Sequence, residues 1–188
     1  MKAFEAFYGD YPMMVEVETD EIVKRFNQNK SNQAIISPFN AALDREKNIE
    51  NLKKVTSSFR QDDFGFLLVD GAWIDTQGSA ILQEAILVRA VDTLSFDDFS
   101  QKIQECLSEY QQDTFLAYDR DVSLTKIIKN GEEVTSFADF SLEKAEAAVT
   151  EHMKSGYEGR FVFERFRYSL NWISRMATAK YDSSNVIL

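Results

Sequence analysis

Apolar positions recur every three or four residues in several stretches, a spacing that places side chains on one face of a helix. The clearest stretch follows Ser95, which is predicted to cap a helix because an acid, Asp98, stands three positions further on. The apolar stripe of this helix comprises Phe96, Phe99, Ile103, Cys106, Leu107 and Tyr110. Similar patterns predict helices over 19–28, 45–60 and 141–154.

Shorter apolar runs bounded by turn residues predict strands. These runs are 33–37, 64–74, 82–90, 114–118, 122–129 and 132–137. Asn130-Gly131, between the last two runs, is a strong short signal for a hairpin. The stretch 161–179 opens with strand-like residues, but its longer pattern predicts a helix. The stripe of that helix is Val162, Phe166, Leu170, Ile173 and Met176 or Ala177.

The order of helices and strands predicts one α+β domain over residues 1–188, with α/β as the alternative. We expect a compact mixed sheet of about five to six strands, flanked by helices. Residues 33–120 would form its core, and residues 122–188 would add a C-terminal hairpin and helices. The hydrophobic content of 44% is sufficient for a packed core.

The single cysteine and the single histidine exclude several kinds of site. A disulfide scaffold needs paired cysteines, and a structural zinc site needs several Cys or His ligands. Cys106 falls in an apolar stripe and is predicted to be a buried small hydrophobe. His152 is predicted near the C-terminal end of a helix, where an imidazole complements the helix dipole. Carboxylate sites for hard cations stay open, but we predict no cofactor, no metal ligand and no catalytic residue.

The sequence contains no glycine-rich phosphate loop and no G-x-S-x-G elbow. An enzymatic activity is therefore left open but is not favoured. The longest apolar runs are short, so no transmembrane helix and no membrane partner are expected. The first ten residues include acids and lack an apolar core, which predicts no secretory signal and a cytoplasmic location.

Charge is distributed unevenly along the chain. The formal net charge is −10 at pH 7, but residues 160–188 hold five basic and two acidic side chains. Residues 1–159 hold 16 basic and 29 acidic side chains. Such an acidic body argues against general affinity for a phosphate backbone, which requires Lys and Arg. Nucleic acid is therefore expected as a partner only through the basic C-terminal segment.

This basic segment is also rich in aromatic residues. Its candidate partner-binding residues are Arg160, Arg165, Arg167, Tyr168 and Trp172. Arginine together with aromatic residues is typical of interface hot spots and of single-stranded nucleic-acid platforms. Three interpretations remain. The aromatics pack on the domain while the arginines pair with the acidic body, or the segment binds a protein, or it binds nucleic acid.

Two polar residues share a face with apolar ones in the predicted elements. Asn48 points the same way as Leu52 of its helix, and Glu84 alternates in phase with Ile86 of its strand. Leaving a buried amide unpaired costs about 1–3 kcal/mol. Asn48 therefore either hydrogen-bonds a neighbouring loop backbone or faces a small ligand cleft. Glu84 lies either in such a cleft or at the solvated end of its strand.

The middle of the chain carries a series of short motifs. They are Ser37-Pro38-Phe39-Asn40, Asn48-Ile49-Glu50-Asn51-Leu52, Val69-Asp70-Gly71-Ala72-Trp73, Glu84-Ala85-Ile86-Leu87-Val88 and Tyr110-Gln111-Gln112-Asp113. Over residues 33–120 the chain resembles a small bacterial and phage family known only as a domain of unknown function. The resemblance implies no activity. It implies that Asn40, Asn48, Glu84 and Gln112 converge, either as a ligand site or as a structural hydrogen-bond network.

These observations lead to three functional hypotheses. The first is a non-enzymatic accessory or regulatory protein, phage-encoded and acting in the bacterial host cytoplasm, that binds a protein partner. Its acidic surface would then mimic nucleic acid towards a host target. The second is a ligand-binding or enzymatic domain with a cleft around Asn48, Glu84 and Gln112. The third is a virion structural or assembly component. The sequence leaves the oligomeric state open.

Overall fold

Four helices form where the hydrophobic pattern predicts them. The computed structural model describes residues 3–5, 13–28, 31–40, 42–61, 64–90, 94–153 and 159–169. The helices in these residues are α1 (Thr19–Gln28), α2 (Arg45–Gln61), α3 (Phe96–Ser108) and α4 (Leu142–His152). The side chains of Ser95 and Ser141 accept hydrogen bonds from backbone N–H groups three residues on. The two predicted caps are therefore confirmed.

Nine strands in the described residues form one sheet. They are β1 (Ala3–Glu5), β2 (Met13–Val17), β3 (Gln33–Ile36), β4 (Gly65–Ile74), β5 (Ala80–Arg89), β6 (Thr114–Asp119), β7 (Leu124–Lys129), β8 (Glu132–Ala138) and β9 (Arg160–Ser169). Their order across the sheet is β1-β2-β9-β4-β5-β3-β6-β7-β8. Every pair of neighbours is antiparallel.

This architecture confirms the α+β class. The prediction of a mixed sheet of five to six strands was wrong, because the sheet is larger and its described pairings are all antiparallel. The α/β alternative requires parallel strands joined by crossover helices, and no such pair occurs among the described strands.

Helices cover both faces of the sheet. Helices α2 and α3 pack on one face, against buried residues such as Ile36, Phe66 and Ile86. Helices α1 and α4 pack on the other face, against residues such as Ile35 and Leu116. Successive strand residues point to opposite faces, which explains why the strands read as nearly continuous apolar runs. Cys106 of α3 is half-buried and packs against the first of these cores.

The segment that begins at Arg160 is a strand, so the helix predicted over 161–179 was wrong where the structure describes it. β9 lies between β2 and β4 inside the sheet. An irregularity at Asp70/Gly71 of β4 shifts the register, so that Arg165 opposes Asp70 while Phe163 opposes Gly71. The extra residue lets Phe161, Phe163 and Phe166 all pack on the α1/α4 face. Val162 and Phe166 had suggested a helical stripe, but in β9 Phe166 is fully buried in the α1/α4 core whereas Val162 is only partly buried and lies outside that core.

The predicted hairpin is confirmed. β7 and β8 pair directly on either side of Asn130-Gly131. Both turn residues have positive φ, 51° at Asn130 and 81° at Gly131, as a two-residue turn of the type that suits twisted strands requires. The hairpin extends the sheet beyond β6.

Candidate functional site

A cavity of about 140 Å³ lies between the C-terminal end of α4 and the face of the sheet that α4 covers. Ile35, Ala85 and Leu116, from the neighbouring strands β3, β5 and β6, form its floor. Val149 and Met153 line it from the α4 side. An aromatic wall, a buried polar chain and a charged rim complete the lining.

The aromatic wall consists of Trp73, Phe161 and Phe163. The ring centroids of Trp73 and Phe161 are 5.7 Å apart at 62°, and those of Phe161 and Phe163 are 5.0 Å apart at 88°. The backbone N–H groups of Phe161 and Phe163 donate to Thr150 Oγ1 and Glu146 Oε1 of α4, each at 2.8 Å. In the described residues β2 pairs with the later part of β9, from Phe166 to Ser169. Helix α4 covers the earlier stretch of the β9 edge and holds the aromatic wall in place.

The buried polar chain crosses the cavity floor. Trp73 Nε1 donates to Gln83 Oε1 at 2.7 Å, and Gln83 Nε2 donates to Ser37 Oγ at 2.8 Å. The Ser37 hydroxyl in turn donates to the backbone oxygen of Glu84 at 3.0 Å. These hydrogen bonds fix the orientation of the side chains of Trp73, Gln83 and Ser37. Sequence reasoning missed Gln83, although it alternates in phase with buried Ala85, the same signal that singled out Glu84.

The charged rim lies at the start of β6 and at the end of β7, which are side by side in the sheet. Thr114 Oγ1 donates to Asp113 Oδ1 at 2.6 Å, and Lys129 Nζ lies 4.0 Å from Asp113 Oδ2. Both charged side chains are about half exposed. Gln112 also lines the cavity, and its side-chain N–H donates to the backbone oxygen of Phe39. The rim therefore presents one charge of each sign and one amide.

His152 ends α4, as predicted, and also lines the cavity. Glu151 is a charged neighbour, with 3.8 Å between His152 Nε2 and Glu151 Oε2. The imidazole makes no hydrogen bond to another residue that the structure describes. A helix-end histidine was foreseen from the sequence, but its place beside the aromatic wall depends on how α4 crosses the sheet.

The resemblance implied that four residues converge, and three of them, Asn40, Asn48 and Gln112, lie around the loop that precedes α2. Asn48 Oδ1 accepts from the backbone N–H of Asn40 at 2.8 Å, and Asn48 Nδ2 donates to the backbone oxygens of Asn40 and Leu43 at 3.1 and 3.2 Å. Asn40 Nδ2 donates to Gln111 Oε1 at 3.3 Å. Gln112, bound to the same loop, is the member that reaches the cavity.

Glu84 lies on the opposite face of the sheet, under the first turn of α2. Its carboxylate is buried in the middle of β5 and lies 3.4 Å from Arg45 Nη2. The interpretation that placed it at a solvated strand end was wrong, because its side chain is only 7% exposed. Its register partner is Asp70. Glu84 therefore does not share the cavity with Gln112.

The candidate partner-binding residues of the basic segment fall mostly in β9. Arg160 is exposed at the start of the strand. Arg165 Nε lies 3.1 Å from Asp70 Oδ2. Arg167 and Tyr168 pair through their backbones with β2, and Trp172 lies outside the described residues. Where its side chains are described, the segment neutralises part of the acidic body.

Comparison with models of known protein families and with curated proteins finds no match. Among the residues that the structure describes, no helix has the length and apolarity to cross a membrane. Within the same residues, no three His, Cys, Asp or Glu side chains are grouped so that they would hold a metal ion. The cavity beside α4 is therefore the feature from which a function is argued.

Proposed function

We propose that this domain binds a small molecule in the cavity beside α4. The observation that carries the proposal is the lining. Apolar and aromatic side chains form most of it, and a few polar groups held by their own hydrogen bonds converge on the same space. This combination is typical of small-molecule sites, in which apolar surface supplies affinity and a few polar groups fix the orientation.

The size of the cavity limits its ligand. An engineered cavity of about 150 Å³ in another protein admits benzene. The cavity here measures about 140 Å³ and is partly open, so it suits a ring of about benzene size, with any small substituent of the ring placed at the open side. A larger ligand would have to extend over the rim formed by Asp113 and Lys129.

Filling the cavity tests this proposal. Ala85 forms part of the floor, and Ala85→Leu would place three additional carbons in the space a ligand would occupy. Small aromatic compounds are expected to bind the unaltered protein and to bind Ala85→Leu at least about tenfold more weakly, as measured by ligand-observed NMR. Ala147→Leu, on the exposed side of α4, serves as the matched control and should bind like the unaltered protein.

Two results would contradict the proposal. One is that no small aromatic compound binds the unaltered protein at millimolar concentration. The other is that Ala85→Leu binds as tightly as Ala147→Leu, which would place the ligand elsewhere. Val149→Phe fills the same cavity from the α4 side and replaces Ala85→Leu if that variant does not fold.

We also propose, as a second function, binding of a basic protein partner through the outer face of α3. The observation that favours it is the charge of that face. Asp97, Asp98, Glu105 and Glu109 are exposed there, with Lys102 as the basic residue among them. Such a surface complements a groove built to hold nucleic acid, and charge complementarity accelerates association and makes it depend on salt.

A charge-neutralising variant tests the second function. Asp97→Asn, Glu105→Gln and Glu109→Gln together keep the Ser95–Asp98 cap intact. Immobilised protein is expected to capture host DNA-binding proteins at low salt, duplex DNA should displace them, and the triple variant should capture far less. Capture that neither DNA nor the triple variant diminishes would exclude nucleic-acid mimicry by α3.

A further inference from the structure

We infer that the cavity accepts a neutral, planar, single-ring compound that carries a carboxamide-like group. This inference rests on the proposed small-molecule function and adds the chemical class of the ligand. Three properties of the lining lead to it: the shape of the aromatic wall, the hydrogen-bonding groups left available, and the balance of charge at the rim.

The aromatic wall selects a flat ring. Trp73, Phe161 and Phe163 meet at steep angles, 62° and 88°, so that both ring faces and ring edges are presented along one side of the cavity. Aromatic rings prefer offset or edge-to-face contacts, which contribute about 0.5–1.5 kcal/mol beyond the burial of area. A planar ring of benzene size gains such contacts, whereas an aliphatic compound of equal volume gains burial alone.

Two polar groups of the lining, on Gln112 and His152, have hydrogen-bonding atoms without a partner among the described residues. Gln112 uses its side-chain N–H to hold the loop at Phe39, and its Oε1 has no partner among the described residues. The imidazole of His152 also makes no hydrogen bond within the described part of the chain and, when neutral, offers one donor and one acceptor. A carboxamide has an N–H donor and a carbonyl acceptor side by side. Its N–H would donate to Gln112 Oε1, and its carbonyl oxygen would accept from the imidazole of His152.

The charges around the cavity disfavour an ionised ligand. Lys129 and Asp113 lie 4.0 Å apart at the rim and offset each other, and Glu151 lies beside His152. An anion would approach Asp113, Glu151 and a chain of net charge −10. A cation would be attracted by Asp113 and Glu151, but it would also approach Lys129 and would lose its hydration on entering the mostly apolar cavity. A neutral ligand avoids both costs.

Four probes of similar size test the inference: benzamide, benzoate, benzylammonium and toluene. Titration followed by ligand-observed NMR at pH 7.5 is expected to show benzamide binding at least about tenfold more tightly than the other three. Equal binding of toluene and benzamide would overturn the inferred class while leaving the proposed function intact. Tighter binding of benzoate or benzylammonium would overturn the neutral-ligand argument. If none of the four binds, the proposed function itself fails.

Variants of the two polar groups provide an independent readout. His152→Phe and Gln112→Leu should each weaken benzamide binding about tenfold and leave toluene binding unchanged, because they remove hydrogen-bonding groups and preserve apolar volume. Gln101→Leu, on the exposed side of α3, is the control for a Gln-to-Leu change and should alter neither. Unchanged benzamide binding in both cavity variants would overturn the assignment of His152 and Gln112. A parallel loss of toluene binding would overturn it as well, since it would indicate a structural effect.

Discussion

Asp70 on β4 lies directly opposite Glu84 on β5, and each of these buried carboxylates has an arginine partner. Arg165 reaches Asp70 from β9 at 3.1 Å, and Arg45 reaches Glu84 from α2 at 3.4 Å. Like charges facing each other across strands are destabilising. The two arginines thus offset a repulsion that the sheet register creates.

Arg165→Met should lower the free energy of unfolding by about 2 kcal/mol. It leaves the carboxylate of Asp70 buried opposite Glu84 without this counter-ion, although the 42% exposure of Arg165 makes the loss smaller than for a fully buried pair. Arg45→Met should cost less, about 1 kcal/mol or below, because Arg45 is 61% exposed. Urea denaturation measures both values.

The control for this prediction is Lys47, which pairs with Glu50 at 2.8 Å on the surface of α2. Lys47→Met should leave the free energy of unfolding almost unchanged, because this pair is exposed to solvent. Combining Arg165→Met with Asp70→Asn should recover part of the loss, since the buried negative charge is removed. An Arg165→Met protein as stable as Lys47→Met would contradict the argument.

The ion pairs of Lys126 are expected to stabilise the fold at neutral pH and to lose that effect at high pH. Burial lowers the pKa of this ammonium group, but hydrogen bonds and charge attraction from Asp119 and Glu133, at 2.9 and 3.3 Å, outweigh burial and raise the pKa above its ordinary value of 10.5. A raised pKa in the folded state means that the contribution of Lys126 is fully present below the unfolded-state pKa. It is lost as the pH rises through the folded-state pKa.

The measurement compares the unaltered protein with Lys126→Met. The variant should be less stable by about 1–3 kcal/mol at pH 7, and the difference should stay constant to about pH 9 and shrink above the ordinary lysine pKa of 10.5. Lys102→Met, an exposed lysine on α3, should show a small difference at every pH. A Lys126→Met difference that grows with pH would contradict the predicted sign.

The close approach of Phe161 to Gly71 gives a test of how the aromatic wall is held. A Cβ atom at this position would lie 2.3 Å from Cζ of Phe161, so Gly71→Ala should displace that ring. The expected cost is about 1–3 kcal/mol in thermal or urea unfolding. Gly65→Ala on the same strand is the matched control, because its Cβ would lie 3.9 Å from the nearest atom, Cβ of Arg89. Equal stabilities of the two variants would show that Phe161 adjusts without cost.

The side chain of Asn48 is expected to stabilise the loop that precedes α2. Its side chain makes three hydrogen bonds to the backbone of Asn40 and Leu43. Asn48→Ala should cost about 1–3 kcal/mol, because three hydrogen bonds to partly buried backbone groups are lost together, and amide exchange at Asn40 should accelerate. Asn27→Ala is the control. It removes two side-chain hydrogen bonds to the backbone of Phe140 on the other face of the sheet and should leave amide exchange at Asn40 unchanged. Slow exchange at Asn40 in the Asn48 variant would contradict this role.

Local signals predicted much of the fold. The caps at Ser95 and Ser141, the Asn130-Gly131 turn and the apolar stripes act over a few residues, and the structure places helices and a hairpin accordingly. The unusual position of Asn48 was also visible, because helical spacing alone shows that it shares a face with apolar residues. Its loop partners were foreseen as one of two alternatives.

Long-range pairing decided the rest. β9 is a strand because β2 and β4 flank it, and the irregularity at Asp70/Gly71 places Phe161 and Phe166 in the same core at a spacing that strict alternation would not give. The cavity beside α4 combines residues from seven separate elements with residues such as Ser37, Gln112 and Asp113 that lie outside them. No local pattern specifies which strands become neighbours.

By itself, the sequence of this protein determined the α+β class, the helices α1 to α4, the hairpin and the uneven charge, but not the strand β9, because periodicity and capping depend on residues close together in the chain. The tertiary structure alone decided that His152, Gln112 and Phe161 line one cavity and that Asp70 faces Glu84. The physical reason is that strand order and register are set by the packing of the whole sheet. A shift of one residue in that register exchanges the two faces.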